Sequence, residues 1–282
     1  MVSGPGPGGA GGGISVRLLG FAAVLTVALA VTVTVVTMRR DGHATVSAAD
    51  PTPVVSTSAV AAAPGFGPAD ADMFGRRVDI PNDPAGQPLA QDPAAQRRPD
   101  DPQWLTAAPS PVQGEGVWQR IFGGPVVRFS ASDGPSRIEG KAAVGYAHTP
   151  QGAVLAAEQH YWRTNANPTD RELLLRLVAA SPEYLAEYDR LVAAGKVSQR
   201  LPEKLTPLLF ASDAFRVESY TDDHAMVDIA RKAREVIDGQ PTWVGTRLAV
   251  VWRDGDWKLT AVNGQQLVRI DSLRSIEGWT TW

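Results

Sequence analysis

The chain has 282 residues, with 27 basic and 30 acidic side chains, no cysteine and a formal charge of −3. That length suits one folded domain with appendages. The missing cysteine excludes disulfide frameworks, thiolate nucleophiles and cysteine-based zinc sites. The near-neutral balance removes any global drive toward nucleic acid, so no direct nucleic-acid binding is expected.

Residues 1–17 open with MVSGPGPGGAGGG, a Gly-Pro composition that predicts a disordered tail. The G-x-G-x-x-G spacing of Gly4, Gly6 and Gly9 follows no strand, so it is no phosphate cradle. The run Leu18–Met38 contains no charged residue, follows Arg17 and precedes Arg39 and Arg40. Its 21 residues make a helix of about 31 Å, the thickness of a bilayer's hydrocarbon core. A secretory signal has a shorter apolar core ahead of a cleavage site of small residues, so the run predicts a retained transmembrane helix. Arginines flank it almost evenly, and a cytoplasmic N-terminus with an exported C-terminal part is the orientation favoured. Ala22, Thr26, Ala30 and Thr34 share one face of this helix, at a spacing that permits close helix packing and self-association.

Residues 41–114 hold 12 of the 22 prolines and few large apolar side chains. Such a segment buries too little apolar surface to offset its ordering entropy, and it predicts a disordered Pro/Ala/Asp-rich linker spanning roughly 45–50 Å. Met73-Phe74 and Trp104-Leu105 are the exceptions, suited to docking on a surface.

Residues 115–282 predict an α+β domain. VWQRIFGGPVVRFS suggests one or two short strands before three helices. Thr149 is the expected N-cap of the first, with Pro150 at the first helical position. Asn167-Pro168 or Asp170 starts the second, with Leu173, Leu174, Leu177 and Val178 on one face. Ser181-Pro182 starts the third, and Gly195 ends it. Beyond Leu209 the period changes from helical to alternating. Ala214–Thr221, Met226–Arg234, Thr242–Arg253 and Trp257–Val262 read as strands. Asp254-Gly255 between the last two marks a type I′ hairpin. Helices followed by antiparallel strands predict helices packed on a curved antiparallel sheet.

No phosphate loop, H-E-x-x-H or G-x-S-x-G motif occurs. The expectation is therefore no enzyme, no cofactor and no metal, the four histidines (43, 148, 160 and 224) being scattered. His148 and His160 are the candidates for lining a pocket, His160 as a partly exposed helical position. Asp228 alternates with Val227 and Ile229 and is expected to face solvent. Arg231, Lys232 and Arg234 form a basic cluster read as a solvated strand surface. Trp279 and Trp282 are candidate interaction residues at the chain end, unless they fold back into the core.

The terminal hairpin VVWRDGDWKLT (Val250–Thr260) resembles that of the cystatin-like α+β fold of the nuclear-transport-factor-like superfamily. With an N-terminal anchor and a Pro-rich spacer, the chain resembles the bitopic assembly proteins of type IV secretion and conjugation systems. The stretch from Gly145 to Ala153 resembles membrane-anchored proteins of high-GC Gram-positive bacteria. The resemblance implies a scaffold that contacts the lipid bilayer, itself and other envelope or secretion-complex proteins, with the domain outside the cytoplasm. It brings no catalytic residues. The fold can also enclose a cone-shaped pocket, so binding or transforming a small apolar ligand is the alternative function, and a cell-envelope binding module a third.

Overall fold

The computed structural model describes residues 63–201, 209–262, 265–266 and 269–282. The run Leu18–Met38, and with it Ala22, Thr26, Ala30 and Thr34, lies outside the described residues. Among those described, no helix is long and apolar enough to cross a membrane.

The domain is α+β, with helices on a curved, mostly antiparallel sheet. Four strands form its centre: β8 (Ala214–Tyr220), β9 (His224–Ile237), β10 (Gln240–Arg253) and β11 (Asp256–Val262). The order across the sheet is β12-β11-β10-β9-β8-β14, where β12 is Gln265–Gln266 and β14 is Thr280–Thr281. Strand β13 (Arg269–Leu273) pairs with the first half of β10, and β7 (Val178–Ala180) runs parallel to β11. Register shifts between Val217 and Ser219, and between Pro241 and Trp243, interrupt the ladders of β9, as bulges that increase local twist do.

The helices begin where their caps predict. Thr149 Oγ1 accepts from the Gly152 N–H at the start of α1 (Pro150–Ala166). Asp170 caps α2 (Arg171–Leu177), and Ser181 caps α3 (Pro182–Ala193). Val178 leaves the predicted second helix and opens β7 instead, because its backbone pairs with Leu259. Helix α1 is the centre of the molecule, with 14 of its 17 residues buried. Sheet residues Val227, Ile229, Leu248, Val250 and Trp257 pack in the same core as Val154, Leu155 and Tyr161.

Two further hairpins, β3 (Trp118–Arg120) with β4 (Val126–Arg128) and β5 (Arg137–Glu139) with β6 (Ala142–Val144), precede α1. The segment 63–114, expected as linker, packs on the domain. It forms the small hairpin β1 (Asp70–Ala71) and β2 (Arg77–Val78), and Val78 is fully buried beside Val117, Trp118 and Val126. Its polar backbone supplies what buried side chains need. Gln151 of α1 donates to the Trp104 and Ala107 carbonyls at 2.9 and 3.1 Å. Arg128 donates to the Pro109 and Pro111 carbonyls at 2.9 and 2.5 Å. Composition misses this strap because its few large apolar side chains, among them Val78, Ile80 and Leu89, are spread along a proline-rich stretch and its carbonyls serve buried side chains distant in sequence.

Candidate functional site

The β10–β11 turn positions a concave site. Asp254 and Gly255 both have positive φ, +55° and +76°, as a type I′ turn requires. Directly after it, the Asp256 carboxylate accepts from the backbone N–H groups of Gly145, Tyr146 and Trp257, at 2.7, 3.2 and 3.0 Å. Burial raises its pKa, while those three bonds pull the other way. The turn is thereby pinned to the chain that enters α1.

Between them lies a cleft of about 100 Å³, lined by His160, Val144, Leu177 and Trp257 with Arg137, Arg176 and Lys258 among its charged groups. His160 is 1% exposed, not the half-exposed position its place late on α1 suggested. The strap and the hairpins before α1 cover the faces that the sheet leaves free. The His160 Nε2 lies 2.9 Å from the Trp257 carbonyl, its ring stands edge-on to Tyr146, and its Nδ1 has no partner. Burial pushes its pKa down to about 3, with Arg163, Lys258 and Arg176 adding in the same direction.

His148 is placed elsewhere. It is exposed, stacks on Trp252 at 4.0 Å with 9° between the planes, and contacts the Asp222 carbonyl through Nε2. Both histidines touch Trp257, one its ring and the other its carbonyl. No hydrogen bond joins them among the described residues, so they form no acid–base pair.

Asp228 does not face open solvent. It is 6% exposed and accepts from Arg247 at 2.7 Å twice and from Arg216 at 3.0 Å. Burial works to raise its pKa, but the hydrogen bonds from Arg247 and Arg216 prevail and hold it below the usual carboxylate range. The basic cluster is also divided: Arg231 turns inward, donating to Glu158 at 2.5 Å and to the Phe210 carbonyl at 2.8 Å. Glu158 is 2% exposed, takes a second bond from Ser212, and has its pKa raised by burial. Sequence reasoning did not find Glu158, Arg128 or Arg163, because a charge on a helix or strand reads as solvent-facing until its partner is known.

Trp282 folds back into the molecule. Its ring lies 4.6 Å from Phe215 and 5.9 Å from Trp118, with the Arg128 guanidinium 5.3 Å away. Trp279 is half-buried under the Arg216 guanidinium. Among the described residues no group of three or more His, Asp or Glu side chains is placed to hold a metal.

These features define an α+β domain with a buried helix at its centre, a strap across it and a small charged cleft. Residues 79–281 match the model of a family described as a domain of unknown function (DUF8175), and the chain belongs to that family. No curated protein and no solved structure matches it.

Proposed function

We propose that this protein is a single-pass membrane protein that presents its α+β domain outside the cytoplasm as a non-catalytic interaction module. The observation that carries the proposal is the uncharged run Leu18–Met38 ahead of a domain whose centre is filled by α1. The cleft beside the β10–β11 turn, about 100 Å³, is smaller than the 300–1,000 Å³ of ordinary small-molecule sites. The wrapped helix and curved sheet are compatible with a nuclear-transport-factor-like fold. On that likeness the partners are other envelope proteins and further copies of the chain, as in a conjugation or secretion scaffold.

Two measurements test the proposal. A C-terminal alkaline phosphatase fusion is expected to be active, and an inactive fusion with a normally inserted anchor would reverse the orientation. Cross-linking in intact membranes is expected to capture the chain with itself or with neighbouring envelope proteins. A chain that stays monomeric and uncaptured at native levels would sink the scaffold reading.

A further inference from the structure

The chain entering α1 and the turns beside it gather aromatic rings at the surface. His148 is exposed and lies flat on Trp252, with 4.0 Å between ring centroids. Tyr220 donates its hydroxyl to the His148 carbonyl at 3.1 Å and meets Trp104 of the strap edge-on at 5.8 Å. Trp257, which touches three of these rings, is fully buried and belongs to the core. Trp252, Tyr220 and Trp104 are only half-buried, and Leu105 beside Trp104 is 42% exposed. A contiguous aromatic surface of this kind marks a contact site.

The β8–β9 turn adds charge of one sign. Asp222 and Asp223 are both exposed, and their backbone carbonyls hold the cluster together. The Asp222 carbonyl meets His148 Nε2, and the Asp223 carbonyl accepts from the Trp252 N–H at 2.9 Å. Burial raises the pKa of the Tyr220 phenol, and the nearby Asp222 charge raises it further. Among the described residues neither carboxylate is paired with a cation: Arg216 pairs with Glu218 and Asp228, and Lys258 pairs with Asp254. Arg253 follows Trp252 on β10 and so alternates to the opposite face of the sheet.

We propose that this aromatic, acidic surface docks an arginine-bearing segment of a partner protein. A guanidinium meets both halves of the surface, since its plane stacks on aromatic rings and its N–H fork pairs with a carboxylate. A purely apolar partner would cover two acids without compensating them, and an acidic partner would be repelled. The inference rests on the interaction role proposed above and adds to it a surface and the chemistry of its partner.

The test uses the full-length protein in detergent micelles with ¹⁵N-labelled histidine. Only four histidines are present, and the His148 signals are assigned by their loss in His148→Gln. The probe is an acetylated, amidated Gly-Arg-Gly-Arg-Gly peptide. At neutral pH and low salt it is expected to shift the His148 ring resonances saturably, while those of buried His160 stay in place. The same peptide with citrulline for arginine, which keeps the shape but not the charge, is expected to leave His148 unmoved. Asp222→Asn combined with Asp223→Asn keeps an oxygen to accept from Thr221 and is expected to weaken the arginine peptide about tenfold. An unmoved His148, an equal shift with citrulline, or unchanged affinity in the double variant would each overturn the proposal. Tighter binding of choline chloride than of the peptide would do the same, because the surface would then read a quaternary ammonium group. None of these results alters the cross-linking of the anchored chain, so the docking surface and the interaction role fail separately.

Discussion

His160 couples the fold to pH. In the unfolded chain it takes up a proton near pH 6.5, whereas in the folded protein it does so only near 3, because burial and three nearby cations oppose its charge. Between those values the unfolded state binds more protons. The stabilising contribution is therefore complete above about pH 6.5 and is lost as pH falls toward 3, up to about 5 kcal/mol in all. Glu158, Asp133 and Asp256 act in the opposite sense, since burial raises each of them and their contribution is lost as pH rises through the folded value. His160→Gln, which keeps a donor for the Trp257 carbonyl, is expected to flatten the fall in melting temperature between neutral and acid pH. Thermal melts across that range check it, and parallel curves for the two proteins would contradict it. The sequence placed His160 on the correct helix but could not see its burial. Neither environment was legible: Asp228 meets Arg216 and Arg247 through the register of β8, β9 and β10, which local pattern does not fix, and Glu158 meets Arg231 across 73 residues.

Secondary structure was far more legible, because its signals are local. Thr149, Asp170 and Ser181 each cap the helix that follows, and the Asp254-Gly255 turn has the predicted geometry. Parts of β9 lay beyond the alternating pattern read from sequence, since Asp238-Gly239, a second positive-φ pair, extends the β9–β10 hairpin to Ile237 and Gln240. Strand β7 was hidden because its partner β11 lies some eighty residues on. The cap of α1 has a second role: Thr149 Oγ1 donates to the buried Asp133 at 2.6 Å while accepting from Gly152. Thr149→Ala should cost about 2–3 kcal/mol in urea unfolding, with Thr149→Ser recovering most of it. The C-terminal element carries a similar test. Deleting residues 278–282 removes β14 and the Trp282 ring from beside Phe215 and Trp118. The expected result is a loss of about 2–4 kcal/mol, seen as a clear drop in melting temperature. Unchanged stability with lost association would return these tryptophans to an interface role.

At the scale of the whole molecule, the strap is the main departure from what composition implied. Its residues are mostly small, polar or proline, yet it packs on the domain through Val78, Ile80 and Leu89 and supplies carbonyls to Gln151 and Arg128. At Gly86, φ is +110° and the Phe129 ring occupies the space a side chain would need. A truncation that starts at residue 115, where composition would draw the domain boundary, is therefore expected to be insoluble or to melt far below one that starts at residue 63. Equal melting of the two would mean that the strap contributes nothing to the fold.

The strap also shortens the stretch of chain between the run Leu18–Met38 and the folded domain. Residues 39–114, between the run Leu18–Met38 and the start expected for the domain, number 76; with the strap docked, the first 24 of them (39–62) precede the folded part, a span of at most about 85 Å. With the proposed anchor in place, the domain would stay within that distance of the bilayer, and partners farther away would be out of range.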